Sequence, residues 1–286
     1  MIKRETIAPG RILINGRRAS AMSADYVLLY KGQKLAVLEA KRAGVKTHEG
    51  VAQAKEYARR LGARFAYASN GLTWYEIDRV TGAEGVITAP PSPQELWERT
   101  FGEENAWRNR FGAIPFETGG GKWEPRYYQH NAITAALEAI AKGSSRILLT
   151  LATGTGKTGI AVQLCWKLFH AKWNLGHEPT RRPRILFLAD RNILADQALN
   201  SFGMFDDGVC KRIDPALIKK RGGVPKNASI FFTIFQTFTT GESGDETYKK
   251  YDPDFFDLII IDECHRGGAN AESSWRDILE HFSPAV

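Results

Sequence analysis

Ala152-Thr153-Gly154-Thr155-Gly156-Lys157-Thr158 is the stretch whose reading decides the fold. Glycine here lets the backbone approach phosphate oxygens, and successive N–H groups turn inward as an anion nest. A helix starting at the lysine would aim its positive end at the same point. The pattern predicts a nucleoside-triphosphate cradle formed by Thr153, Gly154, Thr155, Gly156, Lys157 and Thr158. Lys157 would reach the β/γ-phosphates and the Thr158 hydroxyl would ligate Mg²⁺, so ATP and Mg²⁺ are the expected ligands. Context agrees: residues 146–151 (RILLTL) form a short apolar run, as a buried strand should. After the loop, Ile160, Leu164 and Leu168 recur at helical spacing.

A second motif lies about a hundred residues downstream. Phe256-Asp257-Leu258-Ile259-Ile260-Ile261 is apolar enough for a fully buried parallel strand, and it ends in Asp262-Glu263. A carboxylate at a strand's C-terminal end sits where open α/β sheets bind ligands. Asp262 is expected to hold the Mg²⁺ shell, and Glu263 to orient or deprotonate the attacking water. The form A-T-G-T-G-K-T, with Leu151 where the general P-loop pattern has glycine, resembles that of superfamily 2 helicases and translocases.

The 286 residues leave room for two ordinary domains. No uncharged stretch is long and apolar enough to span a bilayer, so no membrane association is expected. Lys3, Arg4 and Glu5 precede any apolar run, which excludes a signal-peptide pattern at the start. Cys165, Cys210 and Cys264 are odd in number and far apart, offering neither a disulfide framework nor a zinc spacing; a reducing cytoplasm is the default. Charge is uneven: residues 1–95 hold 15 Lys+Arg against 9 Asp+Glu, whereas 96–286 hold 24 against 23. A basic domain beside a nucleotide-binding one suggests a polyphosphate partner, DNA or RNA; a merely soluble basic surface accounts for the charge equally well.

Pro90-Pro91-Ser92-Pro93 ends one pattern of organisation. Upstream, strand-like runs at 11–15, 25–30, 34–40, 65–68, 73–78 and 86–88 alternate with turn signals, interrupted by a helical segment at about 49–61. Downstream come a short helix near 94–101 and a connector containing Gly119-Gly120-Gly121. The expected division is a first domain at 1–90, a linker at 91–124 and the nucleotide-binding domain at 125–286.

The hairpin at Lys31-Gly32-Gln33-Lys34 makes the first domain specific. Gly-X suits a two-residue type II′ turn. With Gly32-Gln33 as that loop, Tyr26 lies opposite Glu39 and Asp25 opposite Ala40, while Glu39 and Lys41 share a face. Two carboxylates and a lysine at one end of a hairpin suit phosphodiester hydrolysis: the acids hold one or two Mg²⁺ ions and the lysine steers or activates water. A surface salt bridge uses the same residue types, and E-x-K alone recurs by chance. Gln53 and Tyr57 on the following helix lie four apart, hence on one face, and can turn toward the same site.

Asp25…Glu39-Ala40-Lys41 followed by Gln53-x-x-x-Tyr57 resembles the PD-(D/E)xK nuclease core with the QxxxY element of RecB-type nucleases. Gly10-Arg11-Ile12, Ala24 to Leu28 and Ala36 to Lys41 are similar to the N-terminal part of the restriction (motor) subunit of type I restriction enzymes, and the resemblance extends through Asp262-Glu263-Cys264-His265-Arg266-Gly267. It implies an α/β fold: a PD-(D/E)xK nuclease-like mixed-sheet domain, then a truncated RecA-like P-loop domain with a parallel sheet. It implies Asp25 and Glu39 as metal ligands, Lys41 as catalytic, and Gln53 and Tyr57 as support. Arg126 to Ile133 is similar to the helicase segment whose glutamine, here Gln129, contacts adenine. Ala189-Asp190-Arg191-Asn192 and Phe235-Gln236-Thr237-Phe238 resemble strand-end DNA contacts through Arg191 and Gln236.

The function so implied is ATP-dependent translocation on double-stranded DNA coupled to Mg²⁺-dependent cleavage, in a complex with methyltransferase (modification) and specificity subunits. Another nuclease–helicase fusion, in repair or standalone restriction, is the alternative, as is a degenerate nuclease fold kept for binding DNA or subunits. Two departures from the family stand out: no helix precedes the first strand, and nothing after Val286 supplies the strand that family translocases place between the P-loop strand and the Asp-Glu strand. The expectation is therefore an N-terminal fragment that binds ATP without turning it over appreciably, since a second RecA-like lobe supplies the arginine fingers. Recognition sequence, oligomeric state and the role of Cys264 are not encoded in any pattern found.

Overall fold

A computed structural model describes residues 2–8, 22–121, 123–189, 192–239, 246–262 and 276–286. Chain contacts divide it into two units, 1–113 with 125–134 and 114–124 with 135–286.

In the first unit six strands pair in chain order: β1 (Ile2–Ala8), β2 (Met22–Tyr30), β3 (Gln33–Ala40), β4 (Phe65–Ser69), β5 (Trp74–Asp78) and β6 (Glu84–Ile87). All neighbours are antiparallel except β3 and β4, whose parallel pairing needs a crossover. That crossover is α1 (Val51–Leu61), entered through a 3₁₀ turn at Thr47–Gly50 and closed by Gly62 at φ 70°, whose N–H bonds Ala58 O. On one face of the sheet, Val37, Ala66 and Ile77 pack with Ala54, Tyr57, Ala58 and Leu61 of α1. On the other, Leu35, Ala36, Phe65 and Tyr67 pack with Leu96 and Trp97 of α2 (Pro93–Phe101). Ser92 caps α2 by accepting from Glu95 N–H, with Pro93 at the first helical position. The stretch 91–124 thus carries α2 and α3 (Ala106–Ala113), and α2 buries two large side chains in the core of this unit rather than serving only as a linker.

The hairpin differs from the expected turn. Its two loop residues are Lys31 and Gly32, both left-handed (φ 47° and 76°), as a type I′ turn requires, and Tyr30 pairs Gln33. The register then shifts at Leu28/Leu29, and beyond this irregularity Val27 pairs Val37 and Tyr26 pairs Leu38. Continuing that register sets Asp25 opposite Glu39 instead of Ala40. A strand's side chains alternate, so this one-residue difference moves the two carboxylates onto a single face. The strand expected at 11–15 lies outside the described residues, whereas β1 at Ile2–Ala8 was not anticipated.

The second unit holds a four-stranded parallel sheet in the order β10-β7-β9-β8: β7 (Ile185–Ala189), β8 (Cys210–Arg212), β9 (Ile230–Ile234) and β10 (Leu258–Ile261). Its helices are α5 (Lys157–Ala171), α6 (Asn192–Ser201), α7 (Pro215–Arg221) and α8 (Phe235–Thr239); α4 (Tyr127–Ala141) crosses the division between units. The runs at 185–188 and 230–234 are strands as read. Residues 146–151 are not a strand: they pair with no neighbour, and Leu148 is 79% exposed. A ladder needs an adjacent edge, and the edge of β10 is met by Val286, whose N–H donates to Asp257 O at 3.1 Å and whose O accepts from Ile259 N–H at 2.9 Å. Residues 146–151 approach β10 through Leu149 and Leu151, which share a cleft with Ile260 and Ile261. Among the described residues no helix is long and apolar enough to cross a membrane.

Candidate functional site

The C-terminal end of β3, where it runs beside β4, gathers five side chains from three elements. Glu39 is 4% exposed. Its Oε1 accepts from Lys41 Nζ at 2.8 Å, while its Oε2 is buried with no hydrogen-bond partner. Asp25, from β2, accepts the backbone N–H of Ala40 on Oδ2 at 2.8 Å. The Lys41 ammonium also donates to Gln53 Oε1 at 3.1 Å, and Gln53 Nε2 donates to Tyr57 Oη at 2.7 Å. Gln53 and Tyr57 sit one turn apart on α1, so one helix face carries a relay running from Tyr57 to the carboxylate of Glu39. All five residues expected here from sequence are brought together.

Electrostatics follow from the burial. Desolvation raises the Glu39 carboxyl above its ordinary range, the nearby negative charge of Asp25 adds to the rise, and the hydrogen bond from Lys41 opposes it. Lys41 is held above its usual value chiefly by its hydrogen bond to Glu39. A buried carboxylate oxygen lacking a donor is costly in the folded chain, and a cation is a partner that relieves the cost. Two carboxylates suit Mg²⁺, which takes one or two from the protein and completes its shell with water and substrate phosphate.

Sequence reasoning missed Gly50. A Cβ there would lie 3.2 Å from Glu39 Cγ, 3.3 Å from Lys41 Cε and 3.3 Å from Ala68 Cβ. Glycine therefore lets the entry of α1 close over the site without displacing the two charged side chains. The signal was present as a glycine directly before a helical run.

The second unit's site starts at the loop 152–156. Gly154 and Gly156 both take positive φ, 74° and 79°, a conformation that favours glycine, and Gly156 is the N-cap of α5. No side chain caps this helix, so its first N–H groups lack an intrahelical partner. The Thr155 hydroxyl donates to Ala152 O at 2.6 Å, closing the loop on itself. Lys157 and Thr158 line a cleft of about 100 Å³ together with Asp262, which stands at the end of β10 and fixes its N–H to Leu188 O at 3.0 Å. Thr153 and Gly154 are exposed. Glu263 and Arg191 lie outside the described residues. Gln236 is exposed on α8, immediately after β9. Gln129 is buried in the first unit, where its Oε1 accepts from Arg126 N–H at 2.9 Å and so caps the start of α4.

Residues 112–286 match the family model ResIII, described as the res subunit of type III restriction enzymes. The chain is 39% identical over 296 residues to the endonuclease subunit of the type I restriction enzyme EcoAI of Escherichia coli, covering 97% of this chain and 34% of that protein. It is 30% identical over 251 residues to the EcoKI endonuclease subunit of E. coli K12, covering 76% and 20%. The chain therefore spans about a third or less of these relatives' lengths. A solved fragment assigned to an HsdR subunit of a type I restriction enzyme from Vibrio vulnificus YJ016 superposes with a TM-score of 0.78 at 37% identity, covering 99% of this chain and 49% of that one.

Proposed function

Because the chain belongs to the ResIII family and is homologous to the endonuclease (HsdR) subunits of type I restriction enzymes, we propose that it is the nuclease-and-motor portion of such a subunit. In this reading it couples ATP-dependent translocation on double-stranded DNA to DNA cleavage. Residues 1–90 carry a PD-(D/E)xK nuclease, and the parallel-sheet unit is the first RecA-like lobe. The observation that carries the reading is the Lys41 ammonium held between Glu39 and Gln53, beside a buried carboxylate oxygen that has no partner.

Asp25 and Glu39 would hold Mg²⁺, which polarises the scissile phosphate and lowers the pKa of a bound water. The chain's own contribution is placement. Ala40 N–H fixes the Asp25 carboxylate, the Gly50 approach keeps bulk water from Glu39, and Gln53 sets the direction of the Lys41 ammonium. Lys41 then stabilises the charge developing on the phosphate or steers the attacking water. Tyr57 receives Gln53 Nε2, which leaves Gln53 Oε1 turned to the lysine.

In the second unit, Thr153 to Thr158 would cradle the phosphates of ATP, with Thr158 and Asp262 on its Mg²⁺. Glu263 would serve the attacking water, Gln129 the adenine, and Arg191 and Gln236 the DNA backbone. Modification and specificity subunits are the expected partners, by likeness to the type I restriction enzymes whose endonuclease subunits the chain resembles.

The test is plasmid cleavage by the assembled restriction complex with ATP and Mg²⁺. Lys41→Ala is expected to reduce cleavage by about 10² or more while leaving ATP hydrolysis in place. Unchanged cleavage would remove the catalytic assignment and leave a domain that only binds DNA or partner subunits.

A further inference from the structure

Two loops leave the same end of the parallel pair β3/β4, 41–48 after β3 and 70–73 after β4, and they are laced to one another. Lys41 N–H donates to Ser69 O at 2.7 Å. Asn70 Nδ2 donates to Val45 O at 3.0 Å. The hydroxyls of Thr47 and Thr73 share a hydrogen bond. The second loop is also rigid in itself: Asn70 Oδ1 accepts from Leu72 N–H at 3.0 Å, from Thr73 N–H at 2.9 Å and from the Thr73 hydroxyl at 3.1 Å. Ser69 Oγ adds a bond to Thr73 O and another from Gly71 N–H. One asparagine thus ties down both loops.

What these loops present is uneven in charge and in polarity. From Ala40 to His48 there are three cations, Lys41, Arg42 and Lys46, and no carboxylate, and residues 69–73 are uncharged. Lys41 turns inward to Glu39, while Arg42 and Lys46 are exposed and neither makes an ion pair among the described residues. At the tip of the neighbouring turn Leu72 is 79% exposed. A lone exposed leucine is ordinary. A leucine held out by a turn with this many hydrogen bonds, next to two unpaired cations and the carboxylate site, is a prepared surface.

We infer that the laced loops are the seat for duplex DNA at the cleavage site. Arg42 and Lys46 neutralise phosphates flanking the scissile one, and Leu72 rests against the sugar faces of the groove. Asn70 is the positioning residue that keeps the two loops at a fixed spacing. This inference rests on the nuclease reading of Asp25, Glu39 and Lys41. Phosphate contacts set register and orientation without reading sequence.

The experiment is equilibrium binding of a short fluorescent duplex to the 286-residue chain by anisotropy. It is run in Ca²⁺ between about 50 and 200 mM salt, a range over which phosphate contacts dominate the salt dependence. For R42Q/K46Q the slope of log K against log salt is expected to become shallower by about 1.8, since each phosphate contact contributes about 0.9. Leu72→Ser is expected to weaken binding several-fold with the slope unchanged, because it removes an apolar contact and no charge. Melting temperatures matching the parent chain establish that the variants fold. An unchanged slope in R42Q/K46Q overturns the seat, whatever the cleavage result. Should the slope fall while Lys41→Ala leaves plasmid cleavage by the assembled complex unchanged, the DNA contact of these loops stands and the nuclease reading fails.

Discussion

The backbone N–H of Ala40 donates to Asp25 Oδ2 at 2.8 Å, so one carboxylate of the site is tethered to the residue that follows the other, Glu39. The tether depends on the irregular register of the β2–β3 hairpin. Without the shift at Leu28/Leu29 the two acids would stand on opposite faces of the ribbon. A fixed pair of carboxylates is what a small, geometrically demanding cation needs, and a hydrogen bond from the backbone is less easily disturbed than one from a side chain.

Glu39 is more costly to the folded chain as a carboxylate than as a neutral group. Its pKa is raised by burial, so the cost develops as pH climbs from the ordinary glutamate range through the raised value, and it is absent below. Glu39→Gln is therefore expected to melt higher than the parent chain at neutral pH without divalent cation, by about 1–3 °C, and to lose that advantage as the pH falls toward 4. Thermal melts across pH check this; a variant that melts lower at every pH would contradict the assignment of a strained, metal-seeking carboxylate.

In the proposed nuclease, Gln53 acts through Lys41, whose ammonium donates to its Oε1 at 3.1 Å, rather than on DNA. Gln53→Ala removes one of the two acceptors that orient the ammonium and leaves the bond to Glu39 intact. In steady-state cleavage assays kcat is expected to fall about 10-fold with KM little changed, the pattern of an interaction that matters in the transition state. A rise in KM alone would assign Gln53 to substrate binding instead.

Lys157 and Asp262 line one cleft, and a nucleotide held there, as proposed, would stabilise the second unit by mass action. Mg-ATP at about one hundred times its Kd is expected to add about 2.7 kcal/mol. Lys157→Ala should abolish that gain in a denaturant titration, whereas removing Mg²⁺ should reduce it in the parent chain and have no further effect in the variant.

Much of this was legible in the sequence because chemistry at close spacing leaves a pattern. Glu39, Lys41, Gln53 and Tyr57 fall within nineteen positions on a strand and a helix whose periodicities are plain. Irregularity was not legible. The turn slipped by one residue because Lys31 adopts a positive φ that lysine seldom takes, and the register shift at Leu28/Leu29 has no composition of its own. Residues 146–151 read as a strand because six mostly apolar residues look alike whether or not an edge is available to pair them, and here they pair with none. Asp257, read only as part of a strand, is a buried structural acid: its oxygens accept from Leu175 N–H at 3.0 Å, from Arg184 N–H at 2.8 Å and from both terminal nitrogens of Arg181.

That network gives a sharp stability test. Removing the Asp257 carboxylate leaves the Leu175 and Arg184 N–H groups and the part-exposed Arg181 guanidinium without their acceptor, at a cost of about 1–3 kcal/mol. Asp257→Ala is expected to unfold the second unit at markedly lower urea. Asp257→Asn, which keeps an acceptor oxygen, should recover part of the loss.

Lys167 supplies the opposite pH signature. It is buried on α5, its Nζ donates to Ile114 O and lies 4.4 Å from the centroid of the Phe116 ring, and desolvation pushes its pKa down to about 8. Unfolding returns the ammonium to an ordinary lysine value near 10.5, so between these two pH values the unfolded chain binds more protons than the folded one. Stability contributed by this group therefore rises with pH across that window and is flat below it. Against Lys167→Met, which cannot titrate, the parent chain is expected to gain in urea midpoint as pH moves from 7.5 to 9.5, because every other group cancels in the difference. Parallel curves for the two proteins would show that Lys167 is charged or neutral alike in both states and that segment 114–117 is held to α5 by Gln163, which bonds Glu117 N–H and O, rather than by the lysine.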